Sequence, residues 1–480
     1  MNFITGQFVV FFIFVLCLGA FLKHKSAALY KYFLILASLL FYASAGLKFV
    51  PLLIFVAFLG WGTGRLMGTP GFSSRTRFVL VGADIALHVL LLAFFKYYEF
   101  LFGLVADVCG CMDWDASLFF SPELADLAFP VGLSFYTFQS LSYAIDHYRD
   151  PSLEPFSFTD VLCYVSFFPT VMSGPIQRDY EFFPQLALME QNRQAFIEGM
   201  GMILSGLFKK VALATCLAEY LVDPVYQDPG SYSWHVVLLA VYGYSIQIFC
   251  DFSGYTDMAI GIARLMGMRL PQNFNSPYRA VNLQDFWRRW HISLSQWLRD
   301  YLYISMGGNR RGNHYVNIIA TMIIGGLWHG SGLNFLIWGT LHGIGQAVGH
   351  AWKRLKTRYG IKPATRVGAM CRTAAAWFCT LQFVSFLWIF FRTDDAGTAW
   401  QIIARVASLE SLADHAPLPA VAALVFGFAI QWIGPPLFRG FVRCQQRLPL
   451  AAQIACMAAL FELILLMGPD GVFPFIYFSF

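Results

Sequence analysis

The residue best suited to chemistry in this sequence is a histidine set in an apolar run. His329 lies in Ile324-Gly325-Gly326-Leu327-Trp328-His329-Gly330-Ser331-Gly332. Ionisable side chains are costly at membrane depth, and those found there mark functional sites by default. A neutral imidazole can take a proton from a hydroxyl attacking a thioester, a general-base role worth roughly 10²–10⁴-fold. Gly326 and Gly330 would let a second backbone or a thin substrate approach closely, and Trp328 would support the same site. The competing reading is a structural histidine.

A second histidine, His291, sits in Asn282–Arg311, which reads NLQDFWRRWHISLSQWLRDYLYISMGGNRR. Asn282 can cap a helix, with Asp285 three residues in beside the positive helix end. The spacing predicts one helix from there to about Ile304, ended by Gly307-Gly308. Trp287, Trp290, Trp297 and Tyr301 supply an aromatic flank, and Arg288, Arg289 and Arg299 supply charge. This is the pattern of a helix lying in or dipping below the membrane interface. Arg288, Arg289 and Arg310 could form a basic entrance for an anionic donor such as acetyl-CoA, whose phosphates suit guanidinium forks. The plainer account is the excess of basic residues in cytoplasmic loops. From its local sequence alone, His291 reads more readily as structural than catalytic.

His342 and His350 could pair with His329 at a metal, but no carboxylate or cysteine completes a set and the i, i+4 spacing is missing. No metal is expected. There is no Gly-x-Ser-x-Gly elbow, P-loop or dinucleotide fingerprint, so a covalent serine mechanism and ATP-driven pumping lack support. Nothing points to nucleic acid.

The elements that must hold these residues are membrane helices. Of 480 residues, 58% are hydrophobic and 13% charged, against roughly 45–50% and 25% in soluble domains. That charge cannot cover a water-facing surface of this size. A span of hydrocarbon takes roughly 20 residues. The clearest candidates are Phe8–Leu22, Tyr32–Ala45, Phe49–Trp61, Phe78–Phe95, Val236–Cys250, Ala374–Phe391, Pro419–Ile433 and Ala451–Met467. Further apolar stretches at 129–145, 160–172, 199–221, 315–328 and 333–349 bring the expected total to about eleven, with a few re-entrant pieces. Met1–Gln7 lacks Lys and Arg, so the first span is expected to be permanent rather than a cleaved signal. The ten cysteines are scattered, mostly in apolar segments, and read as small core hydrophobes.

Charge placement sets an expected orientation. Lys353–Arg372 holds seven basic residues and no acid, and Arg264–Arg311 holds eight arginines against Asp285 and Asp300. Lys96–Asp126 carries one Lys against six acids, and Arg392–Asp414 two Arg against four. Cytoplasmic loops retain Lys and Arg. The first two stretches are therefore expected inside and the others outside, with both termini periplasmic in a bacterial inner membrane. A single membrane domain over 1–480 is expected, with hairpins at 1–95, a chemical core at 129–350 and closing helices at 374–480.

The central third resembles the membrane-bound O-acyltransferases, in the branch of the alginate and peptidoglycan O-acetyltransferases, with teichoic acid D-alanyl transferases as cousins. The stretches that carry the resemblance are FPVGLSFYTFQSLSYAIDHYR (129–149), FFPTVMSGPIQR (167–178), DFSGYTDMAIGIARLMG (251–267), NFNSPYRAVNLQDFWRRWHISLSQWLRDYLYISMGGNR (273–310) and GGLWHG (325–330). FIYFSF (475–480) is similar to the branch's aromatic tail, with Ser479 where Gln is expected. The resemblance implies an all-α multi-pass membrane fold around a central tunnel. It implies that His329 is the catalytic histidine and that His291 assists it or shapes the tunnel. It further implies acetyl transfer from cytoplasmic acetyl-CoA to an extracytoplasmic polysaccharide, directly or through a periplasmic partner protein, with no bound cofactor. Two alternatives stay open: D-alanyl transfer to teichoic acid, and a transporter or flippase without covalent chemistry. The second calls for inverted repeats, whereas the polar features cluster in one central block.

Overall fold

The computed structural model describes residues 1–112, 129–188, 191–360 and 365–468, and every described element is helical. Eight of the described helical stretches are long and apolar enough to cross a membrane. The closing 475–480 motif, residues 113–126 of the acidic 96–126 stretch and residues 361–364 lie outside the described residues, and the earlier part of that acidic stretch, expected as a loop, is helical to Cys111. The chain falls into two compact units.

The first unit, Met1–Gln191 with Leu265–Pro271, contains α1 (Gly6–Lys25), α2 (Ala27–Gly46), α3 (Val50–Met67), α4 (Ser74–Cys111), α5 (Leu133–Arg149), α6 (Phe158–Ser166) and α7 (Asp179–Leu188). Close approach and hydrogen bonding hold such helices together, because lipid is as apolar as their side chains. Phe8, Phe11, Phe12 and Phe41 cluster with Phe168, with ring centroids 5.6–6.4 Å from it. A Cβ at Gly64 of α3 would fall 2.5 Å from the Tyr143 ring of α5. Fully buried His88 sets Nδ1 2.9 Å from the Asp84 carbonyl and Nε2 3.2 Å from Ser140 Oγ, and that hydroxyl donates to the Val56 carbonyl. A polar strap thus joins α3, α4 and α5.

The second unit, Asn192–Arg264 with Gln272–Phe480, holds the histidine motifs. It opens with α8 (Arg193–Leu207), which runs through π-helical turns at Phe208–Ala214 and Ala218–Val222. It continues with α9 (Trp234–Leu265), whose apolar window is 83% buried. Ion pairs Lys209–Asp257 at 2.6 Å and Arg264–Glu198 at 2.9 Å, with a buried Lys210–Asp251 pair, bind α8 and its extension to α9. Burying these charges is tolerable because each faces an opposite one. Then come α10 (Leu283–Trp287), α11 (Ile292–Trp297), α12 (His314–His329), α13 (Leu333–Tyr359), α14 (Arg366–Arg392), α15 (Ala396–Ser408), α16 (Leu418–Arg447) and α17 (Leu450–Met467). Only α14, α16 and α17 of these belong to the membrane-crossing set; α12, the helix of His329, has 16 residues. The core here is aromatic: Trp290 lies 4.9 Å and Trp338 5.9 Å from Trp388, ring to ring.

Candidate active site

The local structure around His291 departs from the helix expected over 282–304. Asn282 does cap α10, accepting from the Asp285 N–H at 2.8 Å. The helix stops after Trp287 and restarts at Ile292, and His291 between them is left-handed at φ 42°, ψ 57°. Non-glycine residues rarely adopt this conformation, and a surrounding network must hold it. The network is Asn273–Asn275. The Asn273 carbonyl accepts from the Ile292 N–H at 2.9 Å, its side-chain oxygen accepts from the Ser293 hydroxyl at 2.6 Å, and the Asn275 N–H donates to the Arg289 carbonyl at 2.9 Å. Bonds from a distant segment replace those that would have continued the helix. The kink drives the His291 ring inward, where it is fully buried and meets the Phe252 ring edge-on at 4.7 Å. Downstream, Gly307 and Gly308 take positive φ and end the π-helical turn Leu298–Tyr303, as their position in the sequence predicts.

His329 is the last residue of α12, and glycine governs how α12 meets α13. A Cβ on Gly339 would stand 2.5 Å from the Met322 carbonyl oxygen, and one on Gly343 2.8 Å from the Ile319 Cα. Gly326 is pressed by the Phe335 carbonyl and Gly330 by the Phe335 ring. Only hydrogen fits at these positions, so the crossing is far closer than bulkier helices permit. Asn334 fixes the start of α13 by donating to the Thr393 carbonyl at 2.8 Å.

At this crossing the His329 ring packs edge-on against Trp328 (4.7 Å), Trp338 (5.3 Å) and Phe391 (5.0 Å). Trp328 also meets His291 at 6.2 Å, so one indole stands between the two imidazoles. His329 is 5% exposed and lines a cavity of about 440 Å³. Its buried end is His329 and Trp338; Met322, Leu294 and Leu298 form an apolar wall. Its other end is formed by the exposed Arg288, Gln296, Arg299 and Asn309. Gln284 braces this mouth by donating to the Gln346 carbonyl at 3.0 Å.

The residues singled out in the sequence therefore separate. His329 and Arg288 share the cavity, whereas His291, Trp328, Gly326 and Gly330 stand outside its lining, in contact with or beside His329. Arg289 pairs with Asp285 at 2.9 Å, and Arg310 is exposed away from the cavity lining. Arg299 and Trp338 line the cavity although sequence reasoning gave neither a site role. His342 is fully buried between Trp287 (5.1 Å) and Trp338 (4.8 Å), and its ring nitrogens have no hydrogen-bond partner among the described residues. Among those residues no three His, Cys, Asp or Glu side chains come together as a metal site.

A cavity that ends on a histidine at a close helix crossing, inside an aromatic shell, suits group transfer between a polar donor and a hydroxyl. Comparison with known proteins bears on which group. The profile of the MBOAT, membrane-bound O-acyltransferase family matches residues 147–390, a span that includes both His291 and His329. The chain belongs to this family. It is 35% identical over 376 residues to a probable alginate O-acetylase of Pseudomonas aeruginosa, covering 77% of this chain and 68% of the relative. It is 33% identical over 444 residues to a peptidoglycan O-acetyltransferase of Helicobacter pylori, covering 85% and 80%. A teichoic acid D-alanyltransferase of Bacillus subtilis is 29% identical over 271 residues, covering 53% and 67%. This membrane-bound O-acyltransferase is thus a multi-pass membrane enzyme that transfers acyl groups, and the helical membrane fold implied by its motifs is the one it has.

Proposed function

We propose that the enzyme takes an acetyl group from acetyl-CoA on the cytoplasmic side and passes it to a hydroxyl on the opposite side. The acceptor is a polysaccharide such as alginate or peptidoglycan, or a periplasmic protein that completes the modification. The observation that carries this reading is the cavity with His329 at its buried end and Arg288 and Arg299 at its exposed end. Guanidinium groups at the mouth suit the donor's phosphates, and a narrow apolar wall suits its thioester arm.

In the reaction, the acceptor hydroxyl oxygen bonds to the thioester carbonyl carbon while His329 takes the hydroxyl proton. The tetrahedral intermediate then collapses, the carbon–sulfur bond breaks, and the proton passes from the imidazolium to the departing thiolate. The products are the acetyl ester and free CoA. His291, outside the cavity lining and held by its kink against the shared Trp328, acts through that indole to position His329. No acyl-enzyme is needed.

The test is reconstitution in liposomes with acetyl-CoA labelled in the acetyl group and supplied only on the side bearing Arg288. Release of free CoA coupled to labelled ester on the far side supports the reading. Transfer from an acyl-carrier-protein thioester but not from acetyl-CoA would replace the donor. Transfer requiring an added periplasmic extract would place a partner protein in the path.

A further inference from the structure

Trp338 is buried to 1% exposure, yet it lines the cavity beside His329. Its indole N–H has no hydrogen-bond partner among the described residues. A buried donor left unpaired is expensive, and native structures keep such groups few. Other core indoles of this unit obey the rule: Trp388 donates to Tyr278 Oη at 3.2 Å, and Trp377 to the Tyr278 carbonyl at 2.8 Å. Trp287, whose N–H is also unpaired, is the neighbouring lining residue. Both Trp287 and Trp338 line the cavity, where a bound molecule could supply an acceptor.

Position distinguishes the two. The Trp338 ring stands 5.3 Å from His329 at 85°, whereas Trp287 packs on Trp338 and His342. Stacking on Trp388 at 25° and a tilted contact with Phe391 at 5.3 Å fix the Trp338 ring, and its neighbour Gly339 is locked in the glycine crossing. A fixed donor at the buried side of the cavity, next to the base, meets the requirement for stabilising charge that develops on a carbonyl oxygen.

We propose that Trp338 is a further catalytic residue, whose indole N–H donates to the acyl carbonyl oxygen and holds the oxyanion of the tetrahedral intermediate. The role rests on the thioester reading above. The hydroxyl oxygen adds to the carbonyl carbon, the carbonyl π pair moves to the oxygen facing Trp338, and its return expels the thiolate.

The test is Trp338→Phe, which keeps the ring and removes the donor. Relative to the unsubstituted enzyme in acetyl-CoA-fed liposomes, kcat should fall ~10²–10³-fold, the loss typical of one oxyanion donor, with KM little changed. A kcat within threefold of the unsubstituted enzyme overturns the role. Should the variant fail to fold, the unsubstituted protein still decides. The infrared carbonyl stretch of bound [1-¹³C]acetyl-CoA should lie below its value in an aprotic solvent, and a band at the aprotic position overturns the role. An unsubstituted enzyme that ignores acetyl-CoA sinks the donor reading instead, so the two failures are distinct.

Discussion

The glycine crossing between α12 and α13 makes a quantitative demand. In Gly339→Ala the new methyl would lie 2.5 Å from the Met322 carbonyl oxygen and 3.2 Å from the Cα atoms of Gly326 and Ile323. Carbon–oxygen contacts settle at about 3.3 Å or more, so the helices must part by roughly 0.8 Å. Overpacking of this kind costs about 1–3 kcal/mol, which a helical bundle this size survives. The parting occurs one residue from Trp338 and at the foot of the His329 turn, and misplacing a reacting group by about 1 Å costs on the order of 10²-fold in rate. Gly339→Ala should therefore insert and purify, unfold at a lower temperature than the parent, and transfer acyl groups about 10²-fold more slowly. Gly82→Ala on α4, where an added Cβ meets nothing within 4 Å, should match the parent in both measurements. Thermal unfolding followed by tryptophan fluorescence, with CoA release on the same preparations, reads both quantities. A Gly339→Ala protein with parental stability and rate would show that the close crossing does not position the site.

His291→Asn should keep the kink, since asparagine tolerates the left-handed conformation that His291 adopts at φ 42°; an unfolding midpoint near the parent's with transfer slowed about tenfold, or 1.4 kcal/mol, would separate its positioning role from its backbone role. Arg288→Ala should raise KM for acetyl-CoA about tenfold or more with kcat held, as loss of a charge-assisted contact of roughly 1.5–3 kcal/mol demands. Arg289→Ala, which breaks the partly exposed pair with Asp285, should leave KM near the parent value and cost at most about 1 kcal/mol of stability; equal KM effects in the two variants would displace the cavity mouth.

The membrane architecture was legible because the long apolar runs around 8–22, 78–95 and 451–467 have no other stable home, and each is a helix here. The cap at Asn282 and the stop at Gly307-Gly308 were equally readable, since both depend on neighbours in the chain. The kink at His291 was not. It depends on Asn273, 18 positions away, capturing the Ile292 N–H, and no periodicity within 282–304 reports that. Trp338 was hidden for a related reason. A tryptophan in an apolar helix reads as core, and only the glycine crossing brings it to His329. Among the arginines, local sequence could not tell Arg288, which reaches the cavity, from Arg289, which turns to Asp285 one turn back on the chain.

The whole account rests on the imidazole at residue 329 moving a proton during transfer. Liposomes holding His329→Ala or the parent enzyme, matched for protein and unfolding midpoint, should be given labelled acetyl-CoA and a hydroxyl acceptor, and free CoA and acetyl ester followed together. Loss of a general base worth roughly 10²–10⁴-fold predicts that both products fall to the background of empty liposomes while acetyl-CoA still binds. A His329→Ala enzyme that forms ester within a few-fold of the parent rate would contradict the account.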